Sequence, residues 1–343
     1  MRLLVLGTGP FAVPMFQSLL DSQHEIPALV TRPTPALRGR DKAPPNPMRD
    51  LATSRGLAVH APASINSEEG RRLIALLAPD LLVACDYGQI LAADVLGLAP
   101  LGGINLHASL LPKYRGAAPI HWALLNGEVE TGVSVIHMTP RLDGGPILAQ
   151  RETAIGPEET QPQLEAHLAR LGIEPVHEAI AMLDQWDRVS PLGEPQDSRH
   201  ATSALRLRKE HGAIEWARTA EQIRNQVRAL KPWPGTYTHW HRPGEEPLRL
   251  VIDQVSVFGR GSKAAARAAG LEPFVGPSSS LPSDSVEHLP GQVMLCDGKQ
   301  LIVATGDGGL SIVAVQPAGK KVMGIDHFLR GYHLRVGDRL GAA

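Results

Sequence analysis

The sequence has little of what would mark a chain for secretion, for a membrane or for a metal. Cys85 and Cys296 are the only cysteines in 343 residues. Two are too few for a disulfide framework or a cysteine zinc site, so both are expected as reduced thiols in a cytoplasmic protein. No apolar run approaches the ~20 residues a membrane helix needs. Met1-Arg2 leads straight into Leu3–Leu6, which reads as a strand rather than a signal peptide. No His/Cys group has the spacing of metal ligands, so no metal is expected. An excess of one charge is also missing, with 34 Lys and Arg against 35 Asp and Glu.

What is present is a globular composition, 43% hydrophobic and 20% charged, in a length that predicts two domains. Charge is unevenly divided between them. Residues 1–204 hold 16 Lys and Arg against 22 Asp and Glu, a balance of −6, and residues 205–343 hold 18 against 13, a balance of +5. The basic half is suited to a nucleic acid, or else the two surfaces are simply solvated differently.

The first half alternates strand-like and helix-like segments. Strands are expected at Leu3–Leu6, Ile26–Thr31, Leu81–Cys85 and Gly103–Leu106, and helices at Phe11–Ser22, Met48–Arg55, Glu68–Leu77 and Pro162–Gln185. Val133–Met138 and Ile147–Glu152 read as a hairpin across Asp143–Pro146. The pattern predicts an α/β domain with a parallel sheet and chemistry at the strand carboxyl ends. After a polar, irregular stretch comes one helix, Ala220–Leu230. About five short strands then predict a small β-barrel, with the OB-fold as leading candidate. The expected division is 1–190, a linker at 191–206, and 207–343. Residues 259–290 read as a long surface insertion.

Two motifs stand at strand ends. Gly7-Thr8-Gly9-Pro10-Phe11-Ala12 matches a dinucleotide-binding turn. The second strand ends in Thr31-Arg32, without the acidic residue that would hold a ribose, and Pro10 removes an amide, so NAD is not expected. Asn105 and His107 are two apart at the end of a strand and share a face. An amide and an imidazole there are equipped to bind a developing oxyanion and to move a proton. Asp143, followed by Gly144-Gly145, supplies a carboxylate that would orient the ring.

Asn105–Pro112, Arg115–Ile120 and Leu142–Gly145 together resemble the signature of the formyltransferases that use 10-formyltetrahydrofolate. Lys209–Trp216, Lys231–Gly235 and Gln316–Met323 are similar to the members of that family that act on methionyl initiator tRNA. The resemblance covers essentially the whole chain. It implies a Rossmann-like formyltransferase domain followed by an OB-fold-like barrel, with Asn105, His107 and Asp143 as catalytic residues. It implies a folate site at Tyr87, Gly88, Gln89, Ile90 and Leu91 and at Ser109, Leu110, Leu111 and Pro112, with Phe11 in the aminoacyl pocket.

The partners it implies are 10-formyltetrahydrofolate and initiator methionyl-tRNA; apart from the resemblance, no membrane partner is expected, and the protein is expected to be a monomer. Candidate tRNA contacts are Arg38 or Arg40 in a loop, the cluster Arg206, Arg208 and Lys209, and Lys320 with Lys321. Trp233, between prolines, is expected to pack between domains rather than to stack on a base. A formyltransferase acting on an amino sugar would share the catalytic triplet, and a non-enzymatic RNA-binding protein would leave it unexplained.

Overall fold

Strands β1 (Leu3–Gly7), β2 (Ala28–Val30), β3 (Ala58–His60), β4 (Leu81–Cys85) and β5 (Gly103–His107) lie parallel in the order β3-β2-β1-β4-β5. The computed structural model describes residues 1–35, 43–242, 244–258 and 288–342. After the two-residue strand β6 (Arg115–Gly116), strands β7 (Glu130–His137) and β8 (Ile147–Ala154) complete this seven-stranded sheet, antiparallel, on the far side of β5. β1 and β4 are buried along their whole length, as their unbroken apolar sequences require of strands covered on both faces.

The covering helices are α1 (Val13–Leu20), α2 (Pro47–Ser54), α3 (Glu68–Leu77), α4 (Ala93–Leu96), α5 (Pro119–Leu125), α6 (Gln161–Leu171) and α7 (Ile173–Asp184). α3 starts where the Ser67 side chain accepts the Gly70 N–H, with Glu68 and Glu69 in its first turn, and stops at Ala78 in the left-handed region. The run expected as one helix over 162–185 is two. It breaks at Gly172, and Pro175 in the first turn of α7 has no N–H with which to continue the ladder from α6. The expected helix 11–22 begins as a 3-10 turn, Pro10–Ala12, before α1.

The chain divides into two compact units, Met1–Ala123 with Glu128–Arg206, and Leu124–Gly127 with Leu207–Ala343. Residues 191–206, expected as a linker, fold with the first unit. Glu194 and Ile147 exchange main-chain hydrogen bonds of 2.8 Å, and β9 (Ser203–Ala204) pairs in parallel with β6. A polar, proline-containing stretch reads as a connection, yet its backbone finds partners on β6 and at the start of β8.

In the second unit, helix α8 (Ala220–Ala229) opens on a capping box between Thr219 and Gln222. Strands β10 (Thr236–His241), β11 (Leu248–Phe258), β12 (Val293–Cys296), β13 (Leu301–Ala304) and β14 (Gly309–Pro317) follow, with β15 (Met323–Gly324), helix α9 (Ile325–Gly331) and β16 (Arg339–Gly341). The antiparallel order is β12-β13-β14-β11-β10-β16, with β15 on β14. Leu340 N–H donates to the Gly291 carbonyl at 2.8 Å and Val293 N–H to the Asp338 carbonyl at 2.9 Å, which nearly closes the sheet into a barrel. Trp216, Trp240, Ile312 and Phe328 lie in its core. The closing strand and α9 fall in a region read from sequence as strands only.

Candidate active site

The first sheet reverses its winding between β1 and β4, so the ends of β1, β4 and β5 form the crevice where an open α/β sheet binds ligands. Asn105 pairs with Ala84 of β4 and with Ile136 of β7 and is half-buried, and His107, two residues on, is 6% exposed. His107 Nε2 lies 2.9 Å from the Tyr114 carbonyl. A carbonyl only accepts, so this nitrogen carries the hydrogen and Nδ1 is left as the basic atom of the neutral ring. Nδ1 stands 3.7 Å from Asp143 Oδ2, an ion-pair separation for a protonated ring and too long for a hydrogen bond.

Asp143 is held from two sides. Its Oδ2 accepts the Gly116 N–H at 2.8 Å, and its main-chain carbonyl accepts the Gln196 amide at 2.8 Å. The same amide reaches the Gly145 carbonyl at 2.7 Å. Gln196 Oε1 accepts Arg115 Nε at 3.0 Å. Asp143 itself has φ of 46°, a left-handed conformation that Asp tolerates better than most residues. Gly145 is required by close approach, since a Cβ there would sit 1.8 Å from the His137 carbonyl.

The turn 114–116 is thus the hub of the site. Tyr114 presents its carbonyl to His107 and Gly116 presents its N–H to Asp143. Thr202 fixes the turn, accepting the Tyr114 N–H on Oγ1 at 2.8 Å and the Arg115 N–H on its carbonyl at 2.8 Å. The Tyr114 hydroxyl donates to Glu128 Oε1 at 2.6 Å, and this bond, with a further one from Lys113, holds the Glu128 carboxyl below its ordinary pKa.

The two expected folate segments are both ordered against the sheet. Tyr87 and Leu91 are buried, and Gln89 is turned inward, its Oε1 accepting the Ile65 N–H at 2.9 Å. Gly88, with φ of 76°, and Ile90 are the exposed members. Ser109 is buried and donates to the Lys113 carbonyl at 2.7 Å, while Leu111 N–H donates to Ser134 Oγ at 3.0 Å. Leu110 and Pro112 are partly exposed along this turn. Phe11 is 6% exposed in the 3-10 turn after β1. The glycines of that turn are explained by packing: a Cβ on Gly7 would meet Met48 at 2.8 Å and the Cys85 carbonyl at 2.9 Å.

Arg38 and Arg40 lie outside the described residues, as does most of 259–290. Arg206 closes the first unit and Arg208 and Lys209 open the second, all three exposed. Lys320 and Lys321 are exposed between β14 and β15. Trp233, expected to be packed away, is 50% exposed. Among the described residues no group of three or more His, Cys, Asp or Glu is placed to hold a metal, and no helix is long and apolar enough to cross a membrane.

A Rossmann-like sheet whose fifth strand ends in Asn-x-His, with an aspartate brought to the imidazole, followed by an antiparallel barrel, defines a formyltransferase. Residues 1–180 match the formyl transferase family and residues 206–333 its C-terminal domain, so the chain belongs to that family. More particularly, it is 44% identical over 348 residues to the methionyl-tRNA formyltransferase of Rhodopirellula baltica, covering 99% of this chain and 96% of that one. It is 37% identical to that of Moorella thermoacetica, covering 99% of both. The N-formyltransferase of Helicobacter canadensis, solved with folinic acid and dTDP-3-aminofucose, shares the fold with a TM-score of 0.58 over 91% of this chain and 98% of its own, at 15% identity.

Of the three expected catalytic residues the structure brings His107 and Asp143 to within 3.7 Å, with Asn105 two residues before His107 on β5, but the residues that set this geometry were not legible in the sequence. Gln196 and Thr202 lie in a stretch without periodicity, and nothing in their local sequence signals that they reach Asp143 and the 114–116 turn.

Proposed function

We propose that this protein, acting in the cytoplasm as a monomer, transfers the formyl group of 10-formyltetrahydrofolate to the amino group of methionine esterified to initiator tRNA. The observation that carries the reading is the similarity to methionyl-tRNA formyltransferases across both units and nearly the full length of each chain.

The neutral amine attacks the formyl carbon, and the carbonyl oxygen becomes an oxyanion. Asn105 donates its amide to that oxygen. Protonated His107 stabilises it from Nδ1, the nitrogen left free by the Tyr114 carbonyl. Asp143, 3.7 Å from Nδ1, orients the ring and helps pass the proton shed by the amine to the departing folate nitrogen. Burial of His107 keeps water from competing for that proton. The exposed loop at Gly88 and Ile90 and the turn at Leu110 and Pro112 border the folate, and Phe11 the methionine side chain.

The barrel supplies a surface for the RNA. Lys209, Trp233, Tyr237, His239 and Arg249 line a depression of about 460 Å³ on its outer face. The Arg249 guanidinium stands 4.2 Å over the Tyr237 ring. Cations beside exposed aromatics suit phosphates and unpaired bases together. Lys320 and Lys321, with one of Arg38 and Arg40, add further phosphate contacts.

The test offers the purified protein labelled 10-formyltetrahydrofolate and three acceptors: methionyl initiator tRNA, methionyl elongator tRNA and a nucleotide-linked amino sugar. Transfer to the initiator tRNA at a kcat/KM at least about 100-fold above either alternative is expected, a gap of about 2.7 kcal/mol in transition-state binding. Preference for the amino sugar would refute the reading.

A further inference from the structure

Gly9 has φ of −89° and ψ of 176°, a backbone that any residue adopts. Its lack of a side chain therefore has another cause. A Cβ at this position would lie 1.7 Å from Asp86 Oδ2 and 2.8 Å from its Cγ. The Asp86 carboxylate occupies the space that a side chain on residue 9 would need. Asp86 follows directly on β4 and has φ of 48°, so the strand's alternation ends there and the side chain is turned toward the 3-10 turn at Pro10–Ala12.

The register fixes where this carboxylate stands. Gly7 pairs with Cys85, and Ala84 pairs with Asn105. Asp86 is two residues beyond Ala84 on β4, as His107 is two residues beyond Asn105 on β5. It thus lies at the winding reversal, between the turn that carries Phe11 and the strand end that carries the imidazole. Among the described residues its carboxylate has no hydrogen-bond donor and no ion pair within 4.0 Å. A carboxylate that is open to solvent, unpaired among the described residues and given room by a glycine is placed to meet a ligand.

We propose that Asp86 is a further catalytic residue, whose carboxylate receives the ammonium group of the acceptor beside Gly9 and takes one of its protons before attack. The inference rests on the amine-formylation reading above. The ammonium gives a proton to Asp86, becoming an amine with a lone pair. That pair forms the new C–N bond to the formyl carbon. The bond from that carbon to the folate nitrogen breaks, and the second proton shed by the attacking nitrogen passes through His107 and Asp143 to the folate nitrogen. Asp86 returns its proton to solvent, which reaches it directly.

The surroundings suit this task. Protein atoms crowd most of the volume around Asp86 and the Glu165 carboxylate on α6 repels its charge, while Arg32 beyond β2 opposes both, leaving the pKa raised to about 6. Its chain neighbours stay neutral: burial pushes the Cys85 thiol well up and the Tyr87 hydroxyl to about 12. An ordinary α-amino group titrates near 7.7–8.0, so a base raised to about 6 is better matched to it than a carboxylate at its usual value.

The experiment is the pH profile of kcat/KM for methionyl initiator tRNA with the wild-type protein and four variants. In the wild type the acid limb should fall near pH 6. In Asp86→Asn, which keeps the shape and tolerates the left-handed backbone, the limb should move up to the amine's own pKa. At pH 6.5 only a small fraction of an α-amino group is neutral, so the variant should be about 15- to 30-fold slower than wild type. At pH 8.5 the two should agree within about threefold.

Gly9→Ala, compatible with its backbone, should displace the carboxylate and give the same profile. Gly9→Ala combined with Asp86→Ala should be no slower than Asp86→Ala alone, because the clash is gone. A wild-type profile in either Asp86→Asn or Gly9→Ala overturns the proposal and leaves the formyltransferase reading standing. Failure of the wild-type protein to formylate the methionyl ester at any pH overturns that reading instead.

Discussion

The side-chain amide of Gln196 donates to the main-chain carbonyl of Asp143 at 2.8 Å, tying a loop beyond the last strand of the sheet to the carboxylate that faces His107. The same side chain accepts from Arg115, so one residue clamps both loops that frame the imidazole. Gln196→Ala should lower kcat by about 10- to 100-fold while leaving the Kd for tRNA unchanged, because displacements of an ångström near the chemistry have effects of that size. Gln196→Glu should be impaired as strongly, since a carboxylate cannot donate to the two carbonyls. A variant with normal kcat would show that the loop holds Asp143 by itself.

Gly116 has φ of 127°, and a Cβ there would stand 2.5 Å from the Ala204 carbonyl. Gly116→Ala should destabilise the fold by about 1–3 kcal/mol, from backbone strain alone, and should separate β6 from β9. Gly56→Ala, also at positive φ but with open space around it, is the comparison and should lose less. Thermal unfolding of both variants decides it, and equal losses would mean that the close approach to Ala204 does not matter.

His121 gives the stability a pH dependence of known sign. Burial lowers its pKa to about 4 from an unfolded value of 6.5. The unfolded chain therefore binds more protons across that window, and stability present above pH 6.5 is lost as pH falls toward 4. The loss attributable to this group reaches up to about 3 kcal/mol. Chemical unfolding at pH 7 and pH 5 should show it, and His121→Gln should reduce it. An unchanged acid loss in the variant would assign the effect to other groups.

The fold was legible where burial writes itself into short windows. Leu3–Gly7 and Leu81–Cys85 are apolar throughout because both their faces are covered, and the helix expected over Glu68–Leu77 has those bounds. Asn105, His107 and Asp143 were visible because side chains of those types at a strand end and before two glycines carry their chemistry with them. The geometry that joins them was not. It depends on Tyr114, Gly116, Gln196 and Thr202, whose partners are main-chain groups up to 88 residues away. A hydrogen bond to a carbonyl places no demand on the sequence that supplies the carbonyl. The strand that closes the barrel was hidden for the related reason that packing decides it, whereas the break at Gly172 was signalled by Pro175 in the sequence itself.

Replacing Arg206, Arg208 and Lys209 with neutral residues should weaken tRNA binding and flatten its salt dependence. Each phosphate contact contributes a slope of about −0.7 on single strands and about −0.9 on a duplex in log affinity against log salt. All three side chains are exposed, so the change should come without loss of stability. The slope should fall by about two to three units. A variant with the wild-type slope would show that the RNA is held elsewhere.

The central claim is that His107, oriented by Tyr114 and Asp143, stabilises the transition state for formyl transfer to the methionyl amine. Its most direct test is the single-turnover rate of transfer from 10-formyltetrahydrofolate to saturating methionyl initiator tRNA, measured for the wild type, His107→Ala, Asp143→Ala and the double variant. Each single variant should be slower by about 10²- to 10⁴-fold, with tRNA affinity unchanged. The double variant should be little slower than the worse single one, because the two groups act as a unit. A His107→Ala protein that transfers formyl at close to the wild-type rate would contradict the account.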